Sequence, residues 1–129
     1  MNGSKVLSFA ALVEMVTGFA LVAGPAVIVS LLLGSTLPSD GVPICRVAGV
    51  ALFALGLGSW PGRRGESRSA AFVAMFAYNG LIALYLAHLA TFRHVRGLLL
   101  WPAVVFHAGV AALLVWSWRS ERRTGADRK

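Results

Sequence analysis

The segment VLSFAALVEMVTGFALVAGPAVIVSLLL, residues Val6–Leu33, indicates the class of this protein, because it contains one charged side chain in 28 residues. A helix needs about 20 apolar residues to cross the hydrocarbon core of a bilayer. Ile44–Trp60, Ser69–Ala90 and Leu98–Trp118 have the same apolar character. The sequence therefore predicts an all-α membrane protein, an antiparallel four-helix transmembrane bundle with spans at about residues 6–33, 44–60, 69–90 and 98–118.

The composition supports a lipid bilayer as the surroundings of this chain. Hydrophobic residues make up 57% of it and the mean hydropathy is +0.74, whereas globular proteins are about 45–50% apolar. The net charge is +7, but the basic residues lie mainly in the predicted loops and tail, and no polar segment alternates arginine with aromatic residues. We therefore predict no nucleic-acid partner.

The distribution of basic residues predicts the orientation, because cytoplasmic loops are enriched in Lys and Arg. Lys5, the segment 63–68 and the segment 119–129 would share one side, whereas Arg46, Arg93 and Arg96 would lie on the other. Both termini are thus predicted to be cytoplasmic. Residues 1–119 form the predicted bundle and residues 120–129 a disordered basic cytoplasmic tail.

The first span has two further features. A cleaved signal peptide is the alternative to a span here, but the carboxylate of Glu14 and the continuation of the apolar run to Leu33 argue against it. Gly24-Pro25 predicts a kink, because proline donates no backbone hydrogen bond and crowds the preceding turn.

Three polar residues lie deep inside the predicted spans, where such residues are costly and are candidates for function. They are Glu14, Asn79 and His107, and helical rise places all three near the bilayer midplane. We expect a hydrogen bond from Glu14 to His107 or to Asn79. Two interpretations remain open: the three groups only fix helix packing, or they bind a ligand or handle a proton.

A second polar layer is predicted nearer the other membrane face. Arg46, Tyr85, His88 and Trp101 fall at similar heights and are candidates to line an outward pocket. For Arg46 the alternative is a side chain that extends to the lipid headgroups without any ligand.

The sequence offers little basis for catalysis or for a cofactor. His88 would lie about 12 Å above His107 along the membrane normal, too far for both to ligate one haem iron. Nucleotide-binding, zinc and hydrolase motifs are lacking. The single cysteine, Cys45, forms no intramolecular disulfide, and Gly49 and Gly56 are interpreted as helix-packing glycines. We predict no metal, no cofactor and no catalytic residue, and a protein that is more plausibly not an enzyme.

Several short motifs resemble a group of small bacterial membrane proteins. They are Gly24-Pro25 with the Leu-Leu-Leu-Gly run at 31–34, Arg-Val-Ala-Gly at 46–49, Ala-Leu-Gly-Leu-Gly at 54–58, Asn79, and Trp101-Pro102 with His107. In these the chain is similar to the DoxX-like and DUF4345-like four-span proteins. The resemblance implies a bacterial cytoplasmic (inner) membrane, an antiparallel bundle, and for some members an association with redox or quinone-linked systems. A cysteine pair for thiol redox chemistry is lacking here.

Two hypotheses for function follow. The first is an accessory or interaction subunit that packs against a larger membrane complex or against a second copy of itself. The second is a binder or carrier of a small hydrophobic or quinone-like molecule in a pocket inside the bundle. Its walls would be Phe53, Phe76, Tyr78 and Phe106, with Glu14, Asn79 and His107 as polar anchors.

Overall fold

The computed structural model describes residues 3–60 and 66–126, without the side chains of residues 66–68 and 121–126. The described chain forms five helices: α1 (Gly3–Ala23), α2 (Pro25–Leu33), α3 (Gly41–Gly58), α4 (Glu66–Phe92) and α5 (Leu100–Ala126). Four of them, all except α2, are long and apolar enough to cross a membrane. The protein is therefore an all-α bundle with four candidate spans, as the sequence predicts.

The first predicted span divides into two helices at Gly24. This residue has φ −141° and ψ 61°, which is not helical, and Pro25 begins α2. At a rise of 1.5 Å per residue, α1 is about 31 Å long and α2 only about 14 Å long, so α1 alone can cross a hydrocarbon core of about 30 Å. The expected kink is confirmed as a complete break. The predicted end of the span at Leu33 is wrong, because the crossing helix ends at Ala23.

Two antiparallel helix pairs make up the bundle. α1 packs along α3, α4 packs along α5, and α1 joins the pairs through contacts with α5 and α4. Gly18 of α1 lies against Gly49 of α3, whereas Ala11 lies against Gly56. Ascending positions on α1 thus meet descending positions on α3, which establishes the antiparallel register of this pair.

Glycine brings the backbones of α1 and α3 into direct contact. A Cβ added at Gly18 would lie 2.5 Å from the carbonyl oxygen of Gly49, and one added at Gly56 would lie 2.6 Å from that of Ala11. Small residues permit such close approach between membrane helices, where van der Waals packing drives association. The interpretation of Gly49 and Gly56 as packing glycines is confirmed.

The hydrophobic core lies between α1, α4 and α5, in the half of the bundle that carries the N-terminus. Eight buried apolar residues form it: Val6, Leu7, Ala10, Ala11, Phe72, Met75, Val110 and Leu114. α3 supplies only partly buried Leu55 at its edge. α3 therefore lies beside this core, and its own buried residues are the two glycines that face α1.

α2 joins the two helix pairs at the opposite end of the bundle. The Leu99 N–H donates to the Leu31 carbonyl oxygen over 2.8 Å, and Gly97 touches the Leu32 carbonyl so closely that no Cβ fits between them. Gly34 ends α2 in the left-handed conformation, with φ 67°, which glycine adopts without strain. The short helix thus holds the loop before α5.

The ends of the other helices differ modestly from the predicted limits. α3 begins three residues before the predicted residue 44, and α4 extends from 66 to 92 instead of from 69 to 90. α5 continues to Ala126, so the disordered tail predicted from residue 120 is helical over most of its length. Residues 61–65 and 127–129 lie outside the described part of the chain.

Candidate functional site

The predicted midplane residues lie one helical turn beyond the hydrophobic core. Glu14 continues the buried face of α1 that carries Ala10 and Ala11, and Asn79 follows Met75 by one turn on α4. His107 precedes Val110 by one turn on α5. The site thus occupies the place where α1, α4 and α5 meet. We call Glu14, Tyr78, Asn79 and His107 the polar cluster.

Asn79 and His107 form a hydrogen-bonded pair within the cluster. The Asn79 side chain is fully buried, and its Nδ2 donates to the Met75 carbonyl oxygen of the same helix over 2.9 Å. Its Oδ1 lies 2.8 Å from Nδ1 of His107. The pair connects α4 to α5 and satisfies the amide on both sides, as buried polar groups require.

Glu14 is almost completely enclosed, with 1% of its surface exposed. The Tyr78 hydroxyl donates a hydrogen bond to its carboxylate. Its second oxygen, Oε1, is buried and has no hydrogen-bond partner among the described residues. A buried polar atom without a partner costs about 1–3 kcal/mol, so Glu14 is the least satisfied group of the cluster.

Aromatic rings surround the His107 imidazole. The Tyr78 ring lies edge-on to it with ring centroids 5.9 Å apart, and the Phe106 ring lies edge-on at 5.6 Å. Tyr78 and His107 are both half-buried, whereas Glu14 and Asn79 are closed off.

The predicted partners of Glu14 differ from those in the structure. Asn79 and His107 bond to each other, and the described hydrogen bond of Glu14 comes from Tyr78. The sequence places the three midplane residues correctly at one level, but spacing alone does not indicate which donor reaches which acceptor. The sequence assigns Tyr78 only to the apolar wall, although a tyrosine hydroxyl inside a membrane needs a partner.

The predicted apolar walls are only partly present. Tyr78 and Phe106 contact His107, as described above. Phe53 and Phe76, in contrast, are 42% and 44% exposed and face away from the interior. Their inclusion in the pocket wall is wrong, because Phe53 lies on α3, outside the core, and Phe76 follows the buried Met75 on the outward side of α4.

The second predicted layer consists of surface residues. Arg46 and His88 are exposed, and Tyr85 and Trp101 are 60% and 55% exposed. The His88 ring packs on Phe92 of its own helix, with centroids 5.1 Å apart. An exposed Arg46 fits a side chain that extends toward the headgroups. A shared ligand site for these four residues stays a prediction.

Metal-binding groupings are not found among the side chains of residues 3–60 and 69–120: no three His, Cys, Asp or Glu side chains lie close enough together to hold an ion. Cys45 is half-buried and free.

Comparison of the chain with protein-family models, with curated proteins and with solved structures gives no match. The similarity to DoxX-like and DUF4345-like proteins thus remains a prediction from the short motifs quoted above.

Proposed function

We propose that this protein binds a small hydrophobic molecule at the polar cluster. The observation that supports this proposal is the buried Oε1 of Glu14, which has no partner among the described residues. A polar residue that served only to fix packing would be expected to have its bonds satisfied, as Asn79 does. An ionisable residue inside the membrane is by default a candidate for function.

The unfolding temperature of wild type, Glu14→Gln and Glu14→Leu tests this proposal. We use 1-naphthol and 1,4-naphthoquinone as small apolar probes, because a ligand that binds only the folded protein raises its unfolding temperature. At least one probe should stabilise the wild type and not Glu14→Leu, while both variants stay folded. If neither probe acts, and Leu destabilises the bundle but Gln does not, Glu14 has a packing role and the proposal is wrong.

A second candidate function is an accessory subunit that accepts a transmembrane helix of another chain. It is supported by an open groove of about 410 Å³ between the end of α3 and the start of α4. Small residues line most of it: Ala54, Leu55, Gly58, Ser59, Ala70, Ala71 and Ala74. Small residues favour close approach of a further helix in lipid.

Filling this groove tests the second candidate. Ala74→Leu should abolish co-purification with a partner, or self-association measured by mass in nanodiscs, without unfolding the bundle. Gly109→Leu is the control, because Gly109 is exposed and a Cβ added there meets nothing within 4 Å. Unchanged association in Ala74→Leu would reject the groove as the interface.

For localisation we propose the bacterial inner membrane with both termini in the cytoplasm. The basic segments 63–68 and 119–129 support the orientation, and the family resemblance supports the membrane. Reporter fusions after Trp60 and after Lys129 should both report the cytoplasm. A periplasmic signal from either fusion would contradict this orientation.

A further inference from the structure

The backbone of α4 determines the direction of every hydrogen bond in the Asn79–His107 pair. The Met75 carbonyl oxygen can only accept, so the atom of Asn79 that faces it, 2.9 Å away, is the donor Nδ2. The other end of the amide is therefore the acceptor Oδ1. Since Oδ1 accepts, Nδ1 of His107 at 2.8 Å must carry the hydrogen.

This direction fixes the chemistry of the other imidazole nitrogen. A neutral imidazole has one N–H donor and one acceptor nitrogen. With the hydrogen on Nδ1, Nε2 of the neutral His107 ring is an acceptor. The partner on one ring nitrogen commonly sets the role of the other in this way.

In its ionised form, Glu14 adds a second acceptor to the same cluster. Tyr78, whose ring lies against His107, uses its hydroxyl hydrogen to bond the Glu14 carboxylate. The remaining Oε1 is buried without a partner among the described residues. The donors of Tyr78 and of His107 Nδ1 are thus engaged inside the cluster, while His107 Nε2 and the Oε1 of an ionised Glu14 are left as acceptors for a ligand.

We infer that the ligand of this site is a hydrogen-bond donor with an apolar aromatic body, that is, a phenol. Its hydroxyl would donate to Glu14 Oε1 or to His107 Nε2, and its ring would pack among the Tyr78, Phe106 and His107 rings. Molecules with acceptors alone, such as a quinone, an ether or an ester, leave these atoms unpaired. The inference rests on the proposed binding function and names the class of ligand.

Three probes with similar apolar bodies test the inference: 1-naphthol, 1-methoxynaphthalene and 1,4-naphthoquinone. Binding is measured by titration calorimetry on the protein in lipid nanodiscs, with empty nanodiscs subtracted. We expect 1-naphthol to bind about tenfold more tightly than the other two, since one hydrogen bond to a buried acceptor is lost in each of them.

Two variants locate the acceptor. Glu14→Gln replaces Oε1 with an amide that can present N–H donors, so the preference should shift from 1-naphthol toward 1,4-naphthoquinone. His107→Phe keeps an aromatic ring and removes Nε2, and should weaken 1-naphthol selectively. His94→Phe is the control and should bind like the wild type, because His94 is exposed in the loop between α4 and α5.

The possible outcomes separate this inference from the proposed function. If none of the probes binds above empty nanodiscs, the proposed function itself fails. If all three bind equally, the binding function stands and the donor inference is wrong. Tighter binding of the quinone to the wild type overturns the inference, because the site would then supply a donor. A naphthol preference unchanged in both variants also overturns it, because the site would lie elsewhere.

Discussion

The two faces of α1 associate with their neighbours in different ways. Toward α3, α1 makes contact through backbone atoms of Gly18 and Ala11, and the contact contains glycine on both helices. Toward α4 and α5, the same helix presents Glu14, whose carboxylate receives one hydrogen bond and has one oxygen without a partner among the described residues. The contact with α3 is made by close backbone packing, whereas the contact with α4 and α5 includes a buried oxygen without a described partner.

This difference distinguishes the contact that holds α1 against α3 from the site that the proposed function concerns. Helices in lipid associate through close van der Waals contact and do not need buried charges for it, and the α1–α3 pair shows such contact in this protein. The Glu14 carboxylate lies beside this contact, on the part of α1 that faces α4 and α5, and the close backbone contact with α3 does not depend on it. Under the proposed function, this costly group is retained because it binds a ligand.

Gly18→Ala should produce the largest loss of stability. Its Cβ would lie 2.5 Å from the Gly49 carbonyl oxygen and 2.6 Å from the Phe53 backbone nitrogen. Backbone atoms cannot move aside as a side chain can, so α1 and α3 must separate. Overpacking of this kind costs about 1–3 kcal/mol, measured as the free energy of unfolding in mixed micelles.

Gly80→Ala is the matched control for this prediction. A Cβ at Gly80 meets nothing within 4 Å, and alanine is the better helix former, so stability should stay equal or rise slightly. Equal losses in the two variants would mean that α1 and α3 are not held by close backbone contact, and the comparison between the two faces of α1 would break down.

Sequence reasoning predicts the packing face of this protein better than its polar face. Spans follow from apolar length, and the packing role of Gly49 and Gly56 follows from two glycines seven residues apart in one apolar helix, because both properties are local. The bond from Tyr78 to Glu14 depends on the rotation of α4 relative to α1, which no local pattern contains. The break at Gly24-Pro25 is intermediate: its position follows from proline chemistry, but the docking of α2 on the loop before α5 is a tertiary contact.

Removal of Asn79 or His107 should have an intermediate effect on stability. Asn79→Leu leaves the His107 Nδ1–H without its acceptor, and His107→Leu leaves the Asn79 Oδ1 without its donor. Each should cost about 1–2 kcal/mol. The double variant should cost less than the sum of the two, because no orphaned partner then remains.

The unfolding free energies of the four proteins in this cycle are compared in the same micelles. Additive losses would show that the 2.8 Å contact between the two side chains contributes no coupling. The Asn79–His107 pair would then contribute nothing to holding α4 against α5. Its difference from the close glycine contact between α1 and α3 would be larger.

Arg46→Gln should have the smallest effect. Arg46 is exposed near the start of α3, on the helix that contacts the core only at its edge, so its guanidinium can reach the headgroup region without any partner in the bundle. Surface substitutions of this kind usually change stability by no more than about 0.5 kcal/mol, and thermal unfolding in detergent should detect almost no difference. A loss of several degrees would mean that Arg46 is paired with a protein group, and α3 would then be held by charge as well as by the glycine contact with α1.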